Sequence, residues 1–282
     1  VPHMGEVFFN VTNLQWVTAL VLVQQAMIAP PTNARERWGD FAIVVLITLT
    51  GPFGIAFLPL FAWRWWRSRD RDPTILLLAM GACAALQAWF VVRTGPRFEF
   101  QGAPWHVAPI IEVLGRRLVL WPLLGREIAY SLSPLVVMLA GGTFLAAAFG
   151  WMLRPHPRRL LRAQVVAALV LITLAGVYRT RPDAWAGDNL DFADRYFYIP
   201  RVLLAWLLIW EFDTVPRAIA NLARVFCLAV LLVHIREYTL PAPKDYAWAT
   251  HVEPIRRGVP AKIPTLPEGW TMEYSGRPEG RR

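Results

Sequence analysis

The chain has 282 residues and a formal net charge of +9; 56% of its residues are hydrophobic, 17% are charged and the mean hydropathy is +0.37. This composition is too apolar for an ordinary soluble domain. It also excludes nucleic-acid binding as the reason for the positive charge, because the basic residues are nearly all arginines in short clusters at the ends of apolar runs. That distribution is typical of loops that contact membrane lipids through their headgroups.

Apolar runs recur along the chain, each near the ~20 residues that a helix needs to cross the hydrocarbon core. They predict an all-α fold, a polytopic transmembrane helical bundle with about seven membrane helices, since a closed barrel would alternate in segments of ~10 residues. The predicted spans are 14–29, 41–63, 75–92, 134–153, 160–178, 197–212 and 218–235. A transmembrane domain, 1–235, is thus followed by a Pro-rich extramembrane tail, 236–282.

Two segments depart from simple spans. Gly51 and Pro52 stand in the middle of the second span, where proline removes a backbone donor and kinks or breaks a helix. This span is either kinked or re-entrant. Residues 105–124 have the pattern of an amphipathic surface helix, with Arg116 and Arg117 facing the headgroups.

The arginine clusters at 64–71 and 154–159 predict the cytoplasmic side of the membrane. The loop at 179–195 and the C-terminal tail are then periplasmic, while the side that holds residue 1 stays open. Because the first residue is Val rather than Met, we expect either that sequence upstream of it is missing or that a non-standard start codon was translated literally.

The first candidate site lies where an acidic loop runs into the sixth predicted span. A phosphate-bearing, lipid-linked substrate would suit it, because arginine offers phosphate a bidentate fork. Alternatively, aspartate–arginine pairs merely fix the loop, and the tyrosines belong to an aromatic belt at the interface. The residues in question are Asp188, Asp191, Asp194, Arg195, Tyr196 and Arg201.

The second candidate site lies at the N-terminus, where a carboxylate, amides and an indole suit a sugar pocket. Its residues are Glu6, Asn10, Asn13, Gln15 and Trp16. The alternative is an interfacial helix with solvated polar side chains. No two of the five histidines have metal-ligand spacing, and no glycine-rich phosphate loop or dinucleotide fingerprint occurs, so we expect neither a metal nor a cofactor.

The run Arg195-Tyr196-Phe197-Tyr198-Ile199-Pro200 resembles the Arg-Tyr-x-x-x-Pro stretch late in GT-C integral membrane glycosyltransferases. Segments 5–16, 49–53 and 263–270 look like a group of uncharacterised bacterial multi-pass proteins. By this resemblance, Arg195 and Tyr196 would contact the phosphate of the lipid. The family places its acidic base in the first periplasmic loop, and no such loop is recognisable ahead of Glu6. Three alternatives follow: that part is missing from this sequence, Glu6 or an aspartate of the 183–194 loop substitutes, or the chain is not an enzyme of this type.

The resemblance implies an enzyme of the bacterial inner membrane that transfers a sugar from a polyprenyl-phosphate donor to a glycan acceptor of the cell envelope. A carboxylate would act as base, and Arg195 would stabilise the departing phosphate. Two other functions stay open. One is a transporter or flippase for lipid-linked glycans, in which the broken helix moves. The other is a non-catalytic membrane subunit whose tail binds a protein partner.

Overall fold

The computed structural model describes residues 14–94, 107–152, 154–156, 158–179, 195–210, 212, 215–235, 248–265 and 270–276. The described residues are mostly helical (83%), which confirms the predicted all-α class. It divides into two compact units, 1–239 and 240–282.

The first unit is built from helices alone in its described part. They are α1 (Leu14–Met27), α2 (Ala34–Thr50), α3 (Phe53–Ser68), α4 (Arg71–Thr94), α5 (Val107–Leu114), the π-helix π1 (Gly115–Leu120), α6 (Trp121–Leu124), α7 (Arg126–Ser131), α8 (Pro134–Met152), α9 (Arg159–Arg179), α10 (Arg195–Trp210) and α11 (Arg217–Val233). The second unit contains α12 (Trp248–Arg257) and the strands β1 (Ala261–Thr265) and β2 (Trp270–Tyr274).

Within the described ranges, two helices are long and apolar enough to cross a membrane, Arg71–Arg93 of α4 and Arg159–Gly176 of α9. The apolar stretches Leu14–Met27, Pro134–Phe144 and Tyr196–Trp210 are shorter, at 10–17 residues. A bundle of about seven spans is therefore not supported. The predicted number of spans is too high because residues 41–63 fall on two helices rather than one. In addition, several apolar helices are shorter than the ~20 residues that spanning requires.

The second predicted span is not a kinked helix but two antiparallel helices. Arg37 Nε lies 2.7 Å from Asp72 Oδ1, which brings the starts of α2 and α4 together. Gln87 Nε2 donates to the Leu49 carbonyl at 2.6 Å, so α2 and α4 run in the same direction. The helix between them, α3, must therefore run back, and the break at Gly51 is the tip of a hairpin.

The tip is tight because glycine lets the two helices approach. A Cβ placed on Gly54 would overlap the side chain of Thr48, which lies near the end of α2. At the start of α2, Asn33 accepts the backbone N–H of Glu36 (3.0 Å), and Glu36 accepts from the backbone N–H of Thr32 (2.7 Å). This reciprocal cap satisfies donors that the first helical turn leaves free.

Helices α1, α3 and α9 meet at the end of the bundle opposite the hairpin tip. Arg64 donates to the Gln25 carbonyl, and Gln164 Nε2 donates to the Ala26 carbonyl at 3.4 Å. We call this the basic end, defined by Gln25, Arg64 and Gln164. The basic turns at 64–71 and 154–159 thus belong to the same end, in agreement with the predicted topology, while the side of the membrane stays a prediction.

The opposite end, which we call the tip end, is defined by Trp16, Gly51 and Tyr196. The ring of Trp16 lies 5.1 Å from that of Tyr196, and a Cβ on Gly176 would lie 3.4 Å from the Tyr196 Cβ. The end of α9 and the start of α10 therefore meet at the tip end.

The predicted surface helix at 105–124 is wrong in its orientation. Arg116 and Arg117 do not face headgroups; they are 4% and 1% exposed. The segment α5–π1 packs against α8 at Gly115 and Gly141. A Cβ added to Gly115 would lie 3.0 Å from the Cα of Gly141, and one added to Gly141 would lie 2.9 Å from the Cα of Gly115. Close glycine crossings of this kind are common between membrane helices, and they turn this segment into core rather than surface.

The interior of the first unit falls into two groups. The large hydrophobic cluster draws its residues from α1, α2, α3, α4, α9 and α10. Two smaller clusters draw on the α5–α8 segment, one of them joined by Phe197 of α10. Helix α10 thus lies at the seam between the groups.

The second unit, which contains most of the predicted Pro-rich tail, has secondary structure of its own. Strands β1 and β2 form an antiparallel hairpin in which Ile263 faces Met272 and Lys262 faces Glu273. Alternation puts Ala261 and Ile263 on one face, and Ile263 is fully buried. The ion pair between Lys262 Nζ and Glu273 Oε1 (3.0 Å) in this hairpin is exposed and adds little stability.

Candidate anion-binding site

Two arginines lie side by side inside the tip-end half of the seam. Arg117 of π1 and Arg201 of α10 are 1% and 4% exposed. The Arg117 guanidinium carbon lies 4.9 Å from the centre of the Phe197 ring, and that of Arg201 lies 4.2 Å from the Trp121 ring. Arg201 Nε also donates to the Arg117 carbonyl at 3.0 Å. Stacking on aromatic faces stabilises both cations and fixes the planes of their guanidinium groups.

The π-helix explains why a main-chain carbonyl is available to Arg201. In π1 the N–H of Trp121 donates to the carbonyl of Arg116, five residues back. The next carbonyl, that of Arg117, would accept from residue 122 in the same pattern. Residue 122 is proline and has no N–H, so this carbonyl accepts from Arg201 instead.

Arg116, the neighbour of Arg117, has a different task. Its Nη1 donates to the Ala129 carbonyl (2.5 Å) and its Nη2 binds Glu112 Oε1 (3.1 Å). It also reaches the carbonyl of Leu132 at 3.4 Å. Because the last carbonyls of a helix lack helical donors, Arg116 caps α7 and holds it against π1.

Trp121 contributes more than its ring. Its side chain is fully buried, and its indole Nε1 has no hydrogen-bond partner in the part of the chain that the structure describes. The carbonyl of the next residue, Pro122, lies 2.9 Å from Nε2 of the buried His234, so this nitrogen carries the proton. Guanidinium and indole N–H groups act only as donors, which is the chemistry that an oxyanion requires of its partners.

A second tip-end cluster joins two stretches that are distant in sequence. Trp16 meets Phe53 edge-to-face at 4.7 Å and Tyr196 at 5.1 Å. The side chain of Gln15 covers Gly51, where an added Cβ would overlap its amide oxygen. Trp16 is buried rather than solvated, which argues against the interfacial-helix alternative at this residue.

The structure brings four predicted site residues to the tip end: Gln15, Trp16, Tyr196 and Arg201. Arg195 begins α10, but its side chain lies outside the described residues, as do Glu6, Asn10, Asn13, Asp188, Asp191 and Asp194. Their predicted roles stay predictions.

Sequence reasoning missed Arg117 and Trp121. The available signal was Arg116-Arg117 inside an otherwise apolar run, followed by Trp121-Pro122, which removes one helical hydrogen bond. Two adjacent arginines in an apolar run cost more free energy when they face lipid than when they lie inside a polar cluster.

In the described ranges, no three His, Cys, Asp or Glu side chains come together as a metal ion requires. Comparison with protein-family models, with curated proteins and with solved structures found no significant match.

Proposed function

We propose that the chain is a multi-pass protein of the bacterial inner membrane, with its C-terminal tail in the periplasm. The support is the exposure of its apolar helices. The apolar window of α4 is only 17% buried within the fold. A core helix of a soluble protein would be mostly buried, whereas lipid satisfies an exposed apolar helix of this length. The shorter apolar helices would complete the bundle as tilted or partial spans.

We further propose that the chain is a GT-C-type glycosyltransferase that takes a sugar from a polyprenyl phosphate. The observation that carries this proposal is the buried pair Arg117 and Arg201, stacked on Phe197 and Trp121. Planar guanidinium groups held at fixed angles suit the tetrahedral oxygens of a phosphate, and a dry site strengthens each contact. Arg201 lies within two turns of the Arg195-Tyr196 motif that carries the family resemblance, and Arg117 lies over Phe197, the residue after Tyr196.

In the proposed reaction, a hydroxyl oxygen of the glycan acceptor attacks the anomeric carbon of the sugar. The bond from that carbon to the phosphate oxygen breaks, and the lipid phosphate leaves with the electron pair. A carboxylate accepts the hydroxyl proton, for which Glu6, Asp188, Asp191 and Asp194 are the candidates. The arginines stabilise the charge that develops on the phosphate.

The flippase alternative is less well supported. It uses the break at Gly51 and Pro52 as a moving element, but Gly51 is covered by Gln15, and Gly54 is in contact with Thr48. A break packed this tightly on both sides fits a fixed hairpin tip better than a hinge.

The test is the binding of a polyprenyl monophosphate to the purified full chain in detergent, with Arg201→Lys as the variant. Lysine keeps the charge but loses the planar fork, so we expect roughly 10- to 100-fold weaker binding. Arg64→Lys is the matched control, because Arg64 is also buried but belongs to the basic end. It should leave binding unchanged.

Two further probes separate the ligand sources, namely inorganic phosphate and the uncharged polyprenol. The proposal expects weak binding of both. If inorganic phosphate binds as tightly as the lipid, the site takes free phosphate, and the lipid-donor role is wrong. If the polyprenol binds as tightly, or if Arg201→Lys has no effect, the phosphate-ligand role of the arginines is wrong.

A further inference from the structure

The side chain of Gln15 lies directly against Gly51 at the hairpin tip. An ideal Cβ on Gly51 would overlap the Gln15 amide oxygen, would lie 3.1 Å from Cδ and would lie 3.5 Å from Cβ. The backbone of Gly51 is extended, at φ −179°, so any residue could adopt it. Glycine is required here for space alone, because the Gln15 amide lies against its bare face.

The next residue, Trp16, carries this contact towards α10. Its ring is edge-on to Phe53, just beyond the tip, with an interplanar angle of 77°, and edge-on to Tyr196 at 87°. Edge-to-face rings have a preferred geometry, so Trp16 constrains the direction of the Tyr196 side chain. Gly176 of α9 lies on Tyr196 from another side, as an added methyl there would be 3.4 Å from the Tyr196 Cβ.

The direction of Tyr196 decides the rotation of α10, and that rotation decides the arginine site. Phe197, on which Arg117 stacks, is the next residue, and Arg201 follows about one turn further on. A rotation of α10 therefore moves Phe197 away from Arg117 and Arg201 away from Trp121 at the same time.

We propose that Gln15, Trp16 and Gly51 form a positioning contact that sets the rotation of α10 and so aligns Arg117 and Arg201 for their anion. The inference rests on the proposed anion site, and it gives Gln15 and Trp16 a role different from the sugar contacts that their residue types suggested. They act through Tyr196 rather than on the substrate.

The test is Gly51→Ala together with a rescue. The new methyl displaces the Gln15 amide, whereas Gln15→Ala leaves only the Cβ, at 3.5 Å, an ordinary contact. The double variant Gly51→Ala/Gln15→Ala should therefore fit. The matched control is Gly81→Ala in α4, where nothing lies within 4 Å of an added Cβ.

The first measurement needs no ligand. Hydrogen exchange of the α10 peptide in detergent should become faster in Gly51→Ala, return to the wild-type rate in the double variant, and stay unchanged in Gly81→Ala. Unchanged exchange in Gly51→Ala, or exchange that stays fast in the double variant, would overturn the positioning role.

The second measurement is polyprenyl-phosphate binding. We expect about tenfold weaker binding in Gly51→Ala, as overpacking of one methyl implies, and recovery to within about threefold in the double variant. If Gln15→Ala alone abolishes binding and the double variant is no better, Gln15 is a ligand and the inference is wrong. If wild-type protein binds no polyprenyl phosphate but α10 exchange behaves as expected, the proposed function fails while the positioning of α10 stands.

Discussion

Two buried arginines at opposite ends of the same helical unit show how different the reasons for burying a charge can be. Arg64, at the basic end, is 8% exposed and donates to the carbonyl of Gln25, one of the last in α1. Arg201, at the tip end, lies over Trp121 beside a second buried arginine, Arg117. Arg64 completes a helix that would otherwise end with unsatisfied acceptors. Arg201 instead donates to a carbonyl of π1, which links α10 to the segment that carries Arg117.

Because Arg64 and Arg201 are both buried, burial alone does not identify a functional cation. What separates the two ends is the chemistry of the neighbours. At the basic end, the Arg64 guanidinium and the Gln164 amide donate to carbonyls in the last turn of α1. At the tip end, Arg117 and Arg201 lie over aromatic rings, and the indole N–H of Trp121 has no hydrogen-bond partner in the described part of the chain.

The largest effect is expected for Arg64→Met, at the basic end. Methionine fills similar space but leaves the buried Gln25 carbonyl without this donor, so we expect a loss of about 3 kcal/mol in the free energy of unfolding. Thermal unfolding in detergent measures it. Arg67→Met, on the exposed side of the same helix, is the control and should change little. A stable Arg64→Met protein that no longer binds polyprenyl phosphate would reverse the roles of the two ends.

The next largest effect is expected for Gly141→Ala, which disturbs the tip end alone. The new Cβ would lie 2.6 Å from the Ile111 carbonyl oxygen and 2.9 Å from the Gly115 Cα, both backbone atoms that cannot move aside cheaply. We expect about 2 kcal/mol of destabilisation and weaker ligand binding, because π1 carries Arg117. Gly142→Ala meets open space and should be neutral in both assays. Equal effects of the two substitutions would show that α8 does not hold π1 in place.

These particular contacts also show what the sequence could and could not predict. Composition and apolar runs predicted an all-α fold, and Gly51-Pro52 marked the break. They did not show that the chain reverses there, because the reversal depends on the Arg37–Asp72 and Gln87–Leu49 contacts between distant residues. Local patterns report which residues are apolar, not which helix covers them.

The candidate site shows the same limit. The sequence predicts Arg201 as a site residue because a cation follows a polar loop, and the structure places Arg201 at the tip end. Arg117 was assigned to the membrane surface because an arginine pair in an amphipathic pattern usually faces water or headgroups. Only the packing of Gly115 on Gly141 turns that face inwards, and a glycine-to-glycine crossing between two helices has no unique sequence signature.

A smaller effect is expected for Trp121→Phe, which removes a single hydrogen-bond donor from the tip end. Phenylalanine keeps a ring under Arg201 but removes the buried indole N–H. If a ligand oxygen accepts this N–H, polyprenyl-phosphate binding should fall about fivefold, near 1 kcal/mol, with no loss of thermal stability. Trp206→Phe, further along α10, is the control. A clear drop in melting temperature without ligand would mean that the protein itself satisfies this N–H, and would remove it from the site.

The smallest effect concerns the first turn of α2, at the basic end, where Glu36 tests whether this end is held by local structural hydrogen bonds. The backbone N–H of Thr32, then its hydroxyl and the Asn33 side chain, lower the pKa of Glu36 below its ordinary value of 4.5. A lowered folded pKa means that the stabilisation is fully present above the unfolded pKa and is lost as the pH falls through the folded pKa. Wild-type protein should therefore melt slightly above Glu36→Gln at neutral pH, and the difference should vanish well below pH 4.5. Ligand binding should be the same in both proteins at neutral pH, since the cap lies at the end away from Arg117 and Arg201. A constant difference in melting temperature across this pH range would mean that the Glu36 carboxylate charge does not contribute to the cap.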